Sequence, residues 1–147
     1  MKNFLIFLLA GILSSLTFAE TCPSLDKIKH HQIQGWQLYD SSEGTLLEKK
    51  RTSQFMQQAE KFVLAEWVAK NAKTGTIHCY YRNSDGNNFE AYLAKDKLSP
   101  HKNRNEWYQV TDLLQCAAGL EKCTFDANPS YEIKNATKIS LSDDVKK

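Results

Sequence analysis

Net charge is nearly absent from this chain. Its 147 residues carry 19 lysines and arginines against 17 aspartates and glutamates. That balance excludes the broad basic field on which nucleic-acid or anionic-membrane binding relies. Only six glycines occur, and they are scattered, so neither a phosphate-cradling loop nor a dinucleotide fingerprint can be assembled. HExxH, GxSxG and CxxC strings are missing, which removes the usual signatures of zinc proteases, hydrolase elbows and thioredoxin-like redox centres. The chain has no internal repeat and no long low-complexity tract. Its longest apolar run, Phe4 to Leu13, falls well short of the roughly 20 residues that span a bilayer.

That run is nevertheless informative. Lys2 precedes it, and Ser14-Ser15-Leu16-Thr17-Phe18-Ala19 follows it. One early positive charge, a short apolar core and small residues at Thr17 and Ala19 predict a secretory signal peptide over 1–19, cut before Glu20. A lipidated start at Cys22 would want small residues where Glu20 and Thr21 stand. Removing the leader removes only one charged residue, Lys2, so the mature chain stays near neutrality. It is read as one domain over 20–134 with a flexible tail over 135–147, where little is available to bury. No stable membrane insertion is expected after cleavage, and the domain is read as a monomer.

The organising stretch is 61–94. It reads KFVLAEWVA, GTIHCYYRN and NNFEAYLA with NAKTG and SDGN at the joins, which predicts a three-stranded antiparallel meander. Alternation selects its register. An odd-length loop after Arg82 places Ile77, Cys79 and Tyr81 on one face with Phe89, Ala91 and Leu93. His78, Tyr80 and Arg82 then share the other face with Glu90 and Tyr92. The fold class is therefore α+β: a small antiparallel sheet with this meander as its core and one or two short helices, stabilised by disulfides.

Around that core, Pro23 fits the first position of a short helix over 23–31. Residues 33–40 read as a strand with Trp36 and Leu38 on one face, 41–44 as a turn and 45–48 as a short return strand. Lys49-Lys50-Arg51 reads as a solvated edge. Residues 53–60 suit a short helix or irregular turn and 61–69 a strand, with one continuous helix over 53–70 as the alternative. Lys95 to Arg104, polar and carrying Pro100, reads as an exposed loop. Glu106 to Val110 reads as a strand, Thr111-Asp112 as the cap of a helical turn through Cys116, and Tyr131-Glu132-Ile133 as a last strand.

All four cysteines, Cys22, Cys79, Cys116 and Cys123, lie beyond the leader. Export leads to an oxidising compartment, so two disulfides are expected. Six residues with Gly119 near the middle allow a local Cys116–Cys123 bridge, which leaves Cys22 to tie the N-terminus to the meander at Cys79. The two pairings that join Cys116 and Cys123 to Cys22 and Cys79 stay open. Metal binding has no support: His30 and His31 are adjacent and cannot both aim at one ion from a regular element, and His78 and His101 stand alone. No cofactor is expected.

For catalysis, Cys79 beside His78 fails because strand neighbours point to opposite faces. Asp85, Glu90 and Glu66 make only a generic set of carboxylates for glycoside cleavage. The better lead is the polar face of the meander. Tyr80, Arg82, Glu90 and Tyr92 offer amphipathic rings and charges suited to contact with another protein or an envelope glycan, and not to nucleic acid. A small secreted hydrolase, or an inhibitor of one using 95–105 as a protruding loop, is the alternative.

Cys22-Pro23, Gly35-Trp36, Ile77-His78-Cys79-Tyr80-Tyr81, Trp107, Cys116 and Cys123-Thr124-Phe125 together resemble small exported proteins of unknown function in Gram-negative intracellular bacteria of the Legionella and Coxiella kind. The resemblance implies export and disulfides and carries no catalytic residue over. Taken with the leader, it sets the expectation of a periplasmic or secreted, non-enzymatic interaction or accessory protein serving the envelope, a secretion system or a host.

Overall fold

A computed structural model describes residues 19–103, 105–127 and 129–133. Apart from Ala19, the expected leader lies outside the described residues, and so does the expected tail over 135–147. Two helices and seven strands follow in the order α1 (Leu25–Lys29), β1 (Gln37–Asp40), α2 (Lys49–Gln58), β2 (Lys61–Ala69), β3 (Gly75–Arg82), β4 (Asn88–Pro100), β5 (Tyr108–Val110), β6 (Leu113–Cys116) and β7 (Phe125–Ala127). The strands form one sheet in the order β1-β4-β3-β2-β6-β5, all neighbours antiparallel, with β7 paired to β4. Leu98 pairs with Gly75 of β3 and with Ala127 of β7. Strand β7 therefore lies on the same edge of β4 as β1, farther along. This is the α+β class expected, with the meander β2-β3-β4 at its centre.

The central hairpin turns through Ser84-Asp85-Gly86, closed by Asn83 N–H to Asn87 O at 2.9 Å, with Gly86 at a φ of 80°. An L side chain is strained at that angle, so glycine takes the position. Beyond a bulge, Tyr80 pairs with Tyr92 and Cys79 with Leu93. Ile77, Cys79, Tyr81, Ala91 and Leu93 are all buried. Phe55 of α2 meets Tyr81 edge to face at 5.8 Å and tilts against Phe89 at 4.9 Å. The helices therefore cover this face of the sheet, and Ile28, Phe55, Met56 and Ala59 complete its core.

Two disulfides close the structure, Cys22–Cys79 with Cα atoms 5.9 Å apart and Cys116–Cys123 at 5.5 Å. The first pins the N-terminal segment on the core face beneath α1. The second staples β6 to the loop before β7, where Cys123 N–H returns to the carbonyl of Gly119. Tyr81 Oη donates to Pro23 O at 2.6 Å in the same buried region. Among the described residues no helix is long and apolar enough to cross a membrane.

Several local expectations are corrected. Helix α1 is capped by Ser24, whose Oγ accepts from Lys27 N–H, so Pro23 precedes the cap and does not open the helix. Strand β1 starts only at Gln37, because Gly35, at a φ of 82°, and Trp36 form a turn that sends the Trp36 ring edge-on to Phe125. The return strand over 45–48 is a single bridge, Tyr39 to Leu46. Lys49-Lys50-Arg51 is the first turn of α2, an unfavourable place for cations beside the helix dipole. Arg51 offsets this by pairing with Asp40 and donating to Glu90 O at 3.2 Å.

Residues 95–100 continue β4 and are not an exposed loop. Lys97 adopts a φ of 63°, and the bulge it makes returns Leu98, Ser99 and Pro100 to buried positions against β7. Residues 113–116 form strand β6, not a helical turn. Thr111 turns at a φ of 50°, and Leu114 and Cys116 then point inward opposite Trp67 and Ala65. The last strand is Phe125–Ala127. Residues 131–133 are irregular, held by Ile133 N–H to Ala72 O.

Candidate functional site

Side chains alternate across a strand, so burial of Ile77, Cys79 and Tyr81 under the helices aims Thr76, His78 and Tyr80 at the opposite face. Cross-strand register then builds two rows on that face. The first is aromatic: Tyr39 of β1, Tyr92 of β4 and Tyr80 of β3 stand side by side. The second is polar: Gln37, Ala94, His78, Glu66 and Gln115 line up across β1, β4, β3, β2 and β6.

The rings of the first row and His78 pack on one another. Tyr39 stacks on Tyr92 at 5.8 Å and 16°, His78 stacks on Tyr92 at 4.3 Å and 26°, and Tyr80 tilts against Tyr92 at 5.5 Å. Such a stack stiffens three strands through side chains alone. Tyr92, on the strand between the other two, is stacked from either side, so the ladder offers solvent ring edges and hydroxyls more than ring faces.

Glu66 organises the second row. Its Oε2 accepts from Gln115 Nε2 at 2.8 Å and its Oε1 from Tyr80 Oη at 3.3 Å, while His78 Nδ1 lies 3.5 Å from Oε1. The imidazole first, then Gln115 and Tyr80, hold the Glu66 carboxyl below the usual glutamate range against the opposing effect of burial. Burial raises the Tyr80 phenol far above its ordinary value, and the neighbouring Glu66 charge adds to the shift. Tyr92 moves the same way, chiefly through burial. One residue farther along the face, Asp96 Oδ1 accepts from Thr76 Oγ1 at 2.5 Å and from Lys70 Nζ at 2.9 Å, and both donors lower its pKa.

Between these groups lies an open depression of about 300 Å³, lined by Gln37, Tyr39, Thr76, His78, Tyr92 and Asp96 with Ala94 at its base. Among the described residues, neither Tyr92 Oη nor His78 Nε2 has a hydrogen-bond partner.

Of the residues expected on this face, Tyr80 and Tyr92 come together. Arg82 and Glu90 join neither of them by a ring contact, hydrogen bond or ion pair among the described residues. Glu90 instead lines a groove with Arg51, Phe55 and Phe89 beside α2. The carboxylates Asp85, Glu90 and Glu66 do not converge: Asp85 sits in the hairpin turn, whereas Glu66 faces His78 in mid-strand. The histidines are equally dispersed. His30, the C-cap of α1, is held by Asp26, and His101 by Asp126 of β7 at 2.9 Å. Among the described residues no group of three or more metal-binding side chains occurs.

Sequence reasoning missed Tyr39, Gln37, Ala94 and Asp96. Alternation along 33–40 and 88–94 pointed only to the face shared by Gln37, Tyr39 and Ala94, Asp96 fell in the segment read as a loop, and nothing in the sequence paired β1 with β4. No family model, no curated protein and no solved structure matches the chain.

Proposed function

We propose that this protein is exported, acts by binding and not by catalysis, and uses the helix-free face of its sheet as its contact surface. It works in the periplasm or outside the cell, as an interaction or accessory protein whose partner is a protein or glycan of the envelope or of a host. The observation that carries the reading is the depression between Tyr92, His78 and Asp96. It is open and polar, and two of its polar atoms have no hydrogen-bond partner among the described residues. Two disulfides with no free cysteine suit an oxidising compartment, and the leader and the resemblance point the same way.

A hydrolase reading gains less support. Among the described residues, the carboxylate–imidazole pair of this face, Glu66–His78, has no free nucleophile beside it, since the Thr76 hydroxyl is committed to Asp96 and Glu66 already serves three neighbours. The inhibitor reading loses its protruding loop, because 95–100 lies within the sheet.

Two measurements test the proposal. Mass spectrometry of the secreted chain should give an N-terminus at Glu20. Crosslinking of the oxidised protein in envelope and host extracts should capture a species that a folded Y80A/Y92A variant does not. Equal capture by both proteins would remove this face from the reading.

A further inference from the structure

The geometry points to a neutral sugar unit as the ligand of the depression over Ala94; this rests on the binding-face reading and names its ligand class. Ala94 pairs with Gln37 on one side and with His78 on the other. Along its own strand, Tyr92 and Asp96 point the same way. A methyl group enclosed by four longer side chains makes a cup. At about 300 Å³ it lies at the lower end of the range for ligand pockets, which suits one ring of a chain and not a folded epitope.

The rim carries hydrogen-bonding groups of both kinds. Gln37 Oε1 already accepts from Tyr39 Oη at 2.9 Å, which leaves its amide N–H₂ to donate. Tyr92 Oη can donate and accept, His78 Nε2 has no partner among the described residues, and the Thr76 hydroxyl, having donated to Asp96, keeps its lone pairs. A sugar hydroxyl also donates once and accepts twice, so a polyol can answer such a rim group by group.

Charge excludes the main rivals. Asp96 is matched by Lys70, and Lys95 by Glu20 at 2.7 Å. Glu66 is surrounded by three partners. Among the described residues an ionic ligand therefore meets no unmatched counter-charge at the depression, whereas a neutral polyol leaves these pairs intact and exchanges its hydration for the rim's hydrogen bonds. A peptide strand cannot add here, because β4 is hydrogen-bonded on both edges at Ala94 and has no free backbone to lend. A protein hot spot is built on a large anchor such as Trp, Tyr or Arg that inserts into a partner pocket, whereas the tyrosine rings of this face are packed on one another and on His78. Among the described residues the large exposed apolar side chains are Leu46, which flanks β1, and Tyr108 on β5, at opposite edges of the sheet. Because the Tyr92 ring faces are occupied, hydrogen bonds rather than ring stacking carry the contact. A single unit should therefore bind weakly and gain by repetition along a glycan.

The test uses the full-length chain, produced with its own leader and purified oxidised, in ¹⁵N-detected titrations. Probes are glucose, galactose, mannose and N-acetylglucosamine, their disaccharides, and glucuronic acid as the charged comparator. At least one neutral probe should shift the amides of Gln37, His78, Tyr92 and Ala94. A94L, which fills the cup, should weaken that binding at least tenfold, and Q37A should weaken it several-fold should A94L fail to fold. Absence of shifts at these residues, tighter binding of glucuronic acid, or unchanged affinity in the folded variants would each overturn the sugar assignment. If sugars fail while Y80A/Y92A still abolishes capture of a protein partner, the ligand class is wrong and the binding face stands. If that capture is also unchanged, both readings fall.

Discussion

The two disulfides close loops of very different length, and their removal should cost correspondingly different amounts. Cys22 and Cys79 are 57 residues apart in sequence, and Cys116 and Cys123 are 7 apart. The loss of unfolded-chain entropy on closure amounts to about 4 kcal/mol for the long loop and about 2.5 kcal/mol for the short one. Each pair should be replaced together by alanine, so that no free thiol remains. All four sites are essentially buried, so the packing loss is similar in both variants and the difference reports the loop. At roughly 3–5 °C per kcal/mol for a domain of this size, C22A/C79A should lower Tm by roughly 12–20 °C, and C116A/C123A by clearly less. Calorimetry of the oxidised proteins gives both values, after non-reducing peptide mapping has established the two linkages. The N-terminal segment keeps other ties, the Tyr81–Pro23 hydrogen bond and the Glu20–Phe125 bridge, so loss of the long bridge should weaken the whole domain and not only release residues 20–31. Equal Tm shifts, or a larger one for C116A/C123A, would refute the chain-entropy reasoning. A mapped peptide joining Cys79 to Cys116 or Cys123 would refute the topology.

Gly75 admits no side chain: a Cβ there would collide with Val68 O and lie 2.7 Å from Trp67 Nε1. G75A should therefore cost about 3 kcal/mol, the upper end for overpacking, read from urea unfolding, and a near-neutral result would contradict the packing of Trp67. Asp40 accepts from Ser42, Glu43 and Arg51, led by the Ser42 hydroxyl, and these bonds hold its carboxyl far below the ordinary 3.8. A depressed folded pKa means stability that is present above the unfolded value and lost as pH falls through the folded one. D40N should therefore destabilise the protein at neutral pH and flatten its acid limb below about pH 4; parallel acid unfolding curves would disprove this. Burial raises Tyr80 and Tyr81 well above 10, so both contribute stability that is complete below that pH and lost as pH climbs toward their folded values. Ultraviolet titration should show a late phenolate component that shrinks in Y80F and in Y81F, and an unchanged component would remove the cause assigned to it.

The parts of the fold legible in the sequence are those set by near neighbours in the chain. Alternation through 75–82 and 88–94 carried the hairpin register, because a slip of one residue would have turned Cys79 and Tyr81 to solvent. The helix-to-strand change near Ala59 was readable because residue preferences change there. The misreadings over 95–100 and 113–116 share one cause, a partner strand far along the chain. Lys95, Asp96 and Lys97 look like a loop because the Lys97 bulge breaks the alternation, and the partner that makes 98–100 a strand is β7, far along the chain. Thr111-Asp112 carries cap chemistry, but pairing of Cys116 with Ala65 overrides it.

The site follows the same logic, which explains why it was half visible. Tyr80 and Tyr92 are cross-strand neighbours within one hairpin, and sequence alternation alone brings them to one face. Gln37 and Tyr39 reach that face only because β1 docks on β4 out of sequence order. Ala94 matters through its smallness between two longer side chains, a property no motif encodes. Had a second layer covered this face, apolar side chains would be expected there, as at Ile77 and Leu93 on the other side. Instead its centre reads Gln37, Ala94, His78, Glu66 and Gln115 across five strands. A polar row kept at the middle of a sheet, internally hydrogen-bonded and, among the described residues, with a phenol and an imidazole nitrogen left to solvent at the depression, supports the binding face proposed above.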